Sequence, residues 1–386
     1  MKHIHVSAMA RTPFGKFRGA LSGLDAIELG SRMIDAVVAR DADRERLPEI
    51  VYGGAGLLGG SHLTTLRQSL IRSGLPDATP SMGVDRACCS GMTAISSAAA
   101  FLRAGQGYKA LALGAENLSN TPLLLQRGSD RKINSLNLID PLLLSGSVSE
   151  KTIAQYTSEE ALKYGVRREQ QDRWALESHE KYFTAKAQGA FDNQIVPLEV
   201  DGAGVADDEG PRAGSTIEKL ASLRTVNGAA TITAGNAPGL SDGAAGMMLI
   251  ASDTPVKGMA EVLDWVQMAG ELQTGTSIPA TCILRLLERN RLALEDVDVI
   301  EINEAFAATP LVSTTVLSDR LEIDPAFLRA RTNAWGGSVA IGHPLGASGI
   351  RIVMQAIERL RARGGGLAVC AICGGFGQGE AVLLRL

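Results

Sequence analysis

Residues 84–105 read VDRACCSGMTAISSAAAFLRAG. Two adjacent cysteines, Cys88 and Cys89, stand before a run of small residues in which Met92, Ile95, Ala99 and Leu102 fall on one helical face. A short buried-strand pattern, YKALALGA, follows at 108–115. The same order returns near the C-terminus. AIGHPLGASGI, starting at residue 340, leads into a helix pattern, a glycine break and the strand-like GLAVCAICGG. DGAAGMMLIAS (242–252) likewise resembles GQGEAVLLRL (377–386). These matches describe an internal duplication of roughly 120 residues, longer than the repeats of solenoids. Equivalent loops of a duplicated fold meet across its pseudo-twofold axis, so the turn at Cys88 is expected near the turn at His343.

Outward from these stretches, helical and strand patterns alternate, which is the α/β signal. LDAIELGSRMIDAVVAR (24–40) carries its apolar residues on one helical face, EIVYGG reads as a strand and LTTLRQSLIRSG as a helix. DVIEIN (298–303) is strand-like. The middle of the chain differs. REQQDRWALESHEKYFTAKAQGAFDNQ reads as an exposed helix and DGAGVADDEGPRAGS as a loop. The expected organisation is a first half formed by 1–117 plus 241–258, an inserted, partly helical domain over 118–240, and a second half over 259–386.

The bulk properties set limits. With 386 residues, 45% apolar and 21% charged, the chain can form a large core and is not disordered. A net charge of −4 gives no basic domain of the kind nucleic-acid binding requires. No apolar run approaches the ~20 residues of a membrane span, and the N-terminus MKHIHVSAMARTPFGKF lacks a signal-peptide pattern. A soluble, cytoplasmic protein is the simplest account. The five cysteines are Cys88, Cys89, Cys282, Cys370 and Cys373. An odd number inside a cell argues against a disulfide framework. Cys370 and Cys373 sit on a strand pattern, where a spacing of three sends side chains to opposite faces. That spacing suits neither a zinc knuckle nor a redox Cys-x-x-Cys, which normally opens a helix. Cys282, in PATCILRLLERN, falls on an apolar helix face, and His62 and His179 read as surface or loop residues.

Four positions carry chemistry. Cys88 precedes a helix, whose unpaired N–H groups and positive dipole end lower a thiol pKa and favour the thiolate nucleophile; burial as a small core residue is the alternative. His343, between glycine and proline, is a poor packing choice and a good base; a satisfied turn histidine is its alternative. Cys373 precedes GGFGQG, a glycine-rich loop that something approaches closely. Asn303 ends a strand and offers an amide to a water or an oxyanion, or else caps a helix beginning EAFAAT.

Taken together and in order, these residues resemble the thiolase family of acyl-coenzyme A acyltransferases. The likeness runs through ARTPFGKFRGALSG, C-x-S-G-M (88–92), REQQD, GAFDNQIVP, TAGNAPGLSDGAA, INEAFAA, GGSVAIGHPLGASG and CGGFGQG, and covers essentially the whole chain. The family's nucleophile opens C-x-S-G, which makes it Cys88, with Cys89 a packing residue. Its second cysteine opens C-x-G-x-G-x-G, which fits Cys373 and not Cys370.

The resemblance implies two similar α/β halves in five layers, αβαβα, with an inserted loop domain holding coenzyme A. It implies cleavage of a 3-ketoacyl-CoA by CoA, or condensation of an acyl-CoA with acetyl-CoA, through an acyl-cysteine on Cys88. His343 would be the base and Cys373 the second acid–base. One oxyanion hole would comprise His343 and a water held by Asn303, the other the backbone N–H groups of Cys88 and Gly375. Coenzyme A is then a substrate, and no metal or redox cofactor is required. Family members are dimers or tetramers, with edge strands near 108–115 as expected contacts here, and some work beside a β-oxidation multienzyme partner. Three departures bear on substrate length. Ala154 stands where methionine usually lines the acyl site, Pro238 where serine is common, and Ala115 where methionine is common. A decarboxylating condensing enzyme on the same fold would lack the Cys373 loop, and a non-catalytic CoA carrier would not need all four chemical positions.

Overall fold

The computed structural model describes residues 2–55, 64–127, 136–143, 148–149 and 151–386; His62 lies outside them. Its centre is a ten-stranded sheet path, and the duplication is written in the strand order. In the first half, Ser81–Gly83 runs parallel to Ile50–Ala55, which runs parallel to Lys109–Asn117; Ser241–Ser252 and then His3–Arg11 follow antiparallel. In the second half, Thr332 bridges Ile300 in parallel, Val299–Ile302 runs parallel to Leu367–Gly374, and Gln378–Arg385 and Glu261–Ala269 follow antiparallel. The halves join where His5 pairs with Glu261 and the Val6 N–H donates to the Ala260 carbonyl at 2.8 Å.

Two helices fill the space between the halves. The cysteine helix, Ser90–Arg103, and the histidine helix, Leu345–Arg363, pack on each other and on strands of both halves. Ala26–Arg40 and Thr65–Arg72 cover the outer face of the first half, and Ile278–Asn290 with Ala308–Leu321 that of the second. The result is the expected αβαβα layering, with one apolar cluster in the central layer and one beneath each outer helical layer. Burial of this extent, at roughly 25 cal/mol per Å² of apolar surface, is the dominant favourable term.

Glycine sets how closely the central helices approach. A Cβ on Gly91 would lie 2.2 Å from the Gly346 carbonyl oxygen, and one on Gly349 would lie 2.4 Å from the Met92 nitrogen. The two helix starts therefore touch backbone to backbone.

Several sequence expectations change. Lys109–Asn117 is no edge strand. It is fully buried between Ile50–Ala55 and Ser241–Ser252, and the free edge of that half is Ser81–Gly83. The helix Arg168–Ala187 is not an exposed one, because Gln171, Asp172, Trp174, Ser178 and Tyr182 are buried along it. His179 is buried too, accepting a hydrogen bond from the Arg212 N–H at 3.2 Å. In the stretch read as a loop, Ala203–Val205 is a strand that pairs with Leu198–Val200 just ahead of it in a small hairpin. It leads to Asp208, whose carboxylate receives the buried Arg11 guanidinium at 2.7 Å and 2.9 Å. No helix among the described residues is long and apolar enough to cross a membrane.

Candidate active site

The chain approaches Cys88 through a left-handed residue. Ala87 has φ +48°, a conformation that costs a non-glycine residue energy and persists only where the surroundings enforce it. Arg86 supplies much of that enforcement. Its guanidinium reaches Glu380 at 2.6 Å, Gln378 at 3.1 Å and Thr93 at 3.1 Å, which ties the turn Ala87–Cys89 to the hairpin carrying Cys373. That hairpin pairs Cys373 with Gly379 and Gly374 with Gln378, so the glycine-rich stretch is largely ladder with a tight turn at 375–377. A Cβ on Gly374 would sit 2.7 Å from the Arg86 carbonyl oxygen and 3.1 Å from the Cys89 sulfur. Only glycine lets the hairpin lie that close.

One cavity results. Cys88, Cys373 and Gly375 line it together with Ile153, Tyr156 and Phe306. Three of the five expected positions thus share one cavity. Cys89 is buried elsewhere, with its sulfur 3.6 Å from the Ile372 carbonyl. Cys370 and Cys373 do face opposite sides of their strand, toward the central and the outer apolar cluster respectively. Cys282 is fully buried on its helix. Ala154 does not line the cavity. It packs in an apolar cluster with Trp174, Ile232 and Leu311, and its neighbour Ile153 lines the site instead.

His343 and Asn303 lie deeper, against the head of the histidine helix, which also packs on the Ala87–Cys89 turn. The two duplicated turns do converge. Gly342, at φ +113°, turns the chain so that the His343 N–H donates to Ser241 Oγ at 3.1 Å. Ser348 Oγ lies 2.6 Å from His343 Nδ1 and donates its own proton to the Pro344 carbonyl at 3.0 Å. The hydroxyl has one proton, so it accepts from Nδ1–H and leaves Nε2 with its lone pair. Nε2 is buried with no partner among the described residues, and so is Asn303 Nδ2. Asn303 is not a helix cap, since the next helix begins at Ala308. The adjoining Glu304 is buried and accepts from Trp174 Nε1, Ser178 Oγ, Asn333 Nδ2 and the Val339 N–H at 2.9–3.0 Å, fastening the inserted segment beside Asn303.

The electrostatics depart from expectation at Cys88. Burial pushes its thiol well up, and the neighbouring Cys373 and Glu116 push the same way. The N-terminal dipole of a small-residue helix is too weak to offset that desolvation. Burial, with Glu160 adding to it, raises Cys373 to about 12. Burial lowers His343 to about 3, with the Arg351 charge adding to it. The resting site is therefore two neutral thiols and a neutral imidazole. Sequence reading missed Glu116, whose buried carboxylate accepts the Gly346 N–H at 3.1 Å at the head of the histidine helix. A charged residue inside an otherwise apolar strand pattern was the available signal.

This duplicated core, with a thiol at the head of one central helix and a histidine at the head of the other, is the thiolase fold. The N-terminal domain model of the thiolases matches residues 4–253 and the C-terminal domain model 256–386, and the chain belongs to the thiolase family. It is similar to a beta-ketoadipyl-CoA thiolase of Acinetobacter baylyi, 36% identical over 407 residues and covering 100% of both chains. Among solved structures it is similar to human mitochondrial 3-ketoacyl-CoA thiolase, with TM-score 0.91, 29% identity and coverage of 100% of this chain and 98% of that one. It is also similar to the Acat5 thiolase from Ascaris suum in complex with coenzyme A, with TM-score 0.88, 31% identity and full coverage of both.

Proposed function

We propose that the protein is a thiolase acyltransferase that cleaves 3-ketoacyl-CoA with CoA, or runs the reverse condensation with acetyl-CoA, through an acyl group carried on Cys88. The observation that carries the reading is the single cavity lined by both Cys88 and Cys373. In the cleaving direction the Cys88 sulfur attacks the keto carbon, and its proton passes to His343 Nε2. The carbon–carbon bond then breaks, and its electron pair goes to the α-carbon of the departing acetyl-CoA, which takes the Cys373 proton. The thiol of CoA attacks the acyl-Cys88 carbonyl and gives its proton to the Cys373 thiolate. The carbon–sulfur bond to Cys88 breaks, and the sulfur recovers its proton from His343. Two orphaned polar atoms, His343 Nε2 and Asn303 Nδ2, support a role for both near developing charge. Gly375 and Cys88 would supply backbone N–H groups to the second oxyanion.

CoA and acyl-CoA are the substrates in this reading, as the CoA complex of the Ascaris relative supports. The three-part organisation (1–117 plus 241–258, 118–240, 259–386) belongs to the same proposal. So does a homodimer or homotetramer, with the contact moved to the free edge Ser81–Gly83, where Met82 is 54% exposed. The test is CoA-dependent cleavage of a series of 3-ketoacyl-CoA substrates from four carbons upward. Cleavage should occur and fall by 10³-fold or more in Cys88→Ala. CoA binding without turnover at any length would sink the reading in favour of a carrier.

A further inference from the structure

One fully buried cation sits next to the site with no carboxylate in ion-pair contact among the described residues. Arg351, 1% exposed, lies in the second turn of the histidine helix. Its Nη2 donates to Ser338 Oγ at 3.0 Å, and Ser338 Oγ donates to Asn303 Oδ1 at 2.8 Å. Its Nη1 is held by Gln355 Oε1 at 3.1 Å. Gln355 in turn donates to Glu301 Oε2 at 3.0 Å and the Gly336 carbonyl at 2.9 Å, and Glu301 pairs with Arg359. The chain of contacts runs from the far end of the helix to the amide of Asn303.

The direction of these bonds matters. An amide can be turned end for end at little steric cost, so something must choose which end faces the site. A guanidinium only donates. With Arg351 occupying a Ser338 lone pair, the Ser338 proton points to Asn303, and only Oδ1 can accept it. Turning the amide over would leave that buried proton without an acceptor. We propose that Arg351 and Ser338 are positioning residues of the thiolase reaction, fixing the Asn303 amide with its NH₂ end toward the site. The same charge disfavours an imidazolium at His343, which the direction of the His343 shift supports.

The inference rests on the proposed role of Asn303, and the experiment separates the two. Ser338→Ala, Asn303→Ala and the double variant are compared by steady-state cleavage, with thermal melting as the check on folding. Ser338→Ala is expected to lower kcat by 10- to 100-fold with little change in the KM for CoA, and to add less than threefold in the Asn303→Ala background. If Asn303→Ala keeps wild-type activity, the role of Asn303 falls. If Asn303→Ala is impaired while Ser338→Ala is within threefold of wild type, or if the two losses multiply, the positioning role is overturned. Should Ser338→Ala not fold, the nearly isosteric Ser338→Cys, a weaker donor, is expected to show an intermediate loss in kcat. An unchanged kcat there overturns the inference as well.

Discussion

At Cys88 two influences oppose each other. The N-terminus of the helix Ser90–Arg103 favours a thiolate, while burial, Cys373 and Glu116 disfavour it. Burial wins because water is lost on all sides, whereas a helix end contributes only about half an elementary charge. On the proposed mechanism Cys88 is then a thiol that gives up its proton only as it attacks. Alkylation of Cys88 by iodoacetamide should accordingly keep rising above pH 9, without a plateau below pH 8, and Cys88→Ala should remove it. A plateau near pH 7 would show a standing thiolate and refute the burial argument. Cys373, at about 12, is likewise a neutral thiol at working pH and so already a proton donor. Both cysteines were singled out in the sequence by their resemblance to the thiolase motifs C-x-S-G and C-x-G-x-G-x-G, and the structure puts both on one cavity. Their protonation was not legible there, since it depends first on burial in the folded chain and then on groups distant in sequence, Cys373 and Glu116 for Cys88 and Glu160 for Cys373.

At the scale of elements, the turn before the cysteine helix and the hairpin Leu367–Gly374/Gln378–Arg385 are held as one unit by a buried ion pair. Glu380 is fully buried and accepts from Arg86, Thr93, Ser96 and Gln267. Arg86→Met would strand that carboxylate, at a cost of about 3–5 kcal/mol. The expected outcome is a lower melting temperature together with a loss of kcat, and partial recovery of stability in Arg86→Met/Glu380→Met. An unchanged melting temperature in the single variant would show that the pair contributes nothing. Most elements could be read in advance. The helix expected at 24–40 is Ala26–Arg40, capped by Asp25 accepting from the Glu28 N–H at 2.7 Å. The strand expected at 298–303 is Val299–Ile302. The helix Arg168–Ala187 was misread because it buries polar groups. Gln171, Asp172, Ser178 and His179 face inward among Trp174, Ala175, Tyr182 and Ala185, so the polar residues on the inner side dilute its hydrophobic periodicity.

Across the whole molecule, burial of neutral histidines links stability to pH. His179 is lowered to about 4 by burial and Arg212, and His343 to about 3. Between those values and the unfolded value of about 6.5, the unfolded chain binds protons that the native one does not. Stability therefore rises with pH across that window and is lost on acidification, by up to about 1.4 kcal/mol per pH unit for each histidine. Urea unfolding at pH 7.5 and pH 5 should show it, and His179→Gln should reduce the difference. An equal difference in that variant would mean His179 titrates normally. The global plan was the most legible level of all, because the duplication repeats turn, helix, glycine break and strand in order. What stayed hidden was the seam at His5 and Glu261, which a single bridge makes and no local pattern marks.

The backbone contact between the helix starts at Gly91 and Gly346 has a consequence for how the protein can change. Neither glycine has space for a methyl group, so the contact behind the cavity behaves as a fixed anvil. The cavity itself is lined in part by the side chains of Ile153, Tyr156 and Phe306, which can be exchanged for others. Selection for a new acyl group, in nature or in the laboratory, therefore has a one-sided field of variation. Productive changes should accumulate in the inserted segment and the loop after Asn303, while the glycine face stays silent.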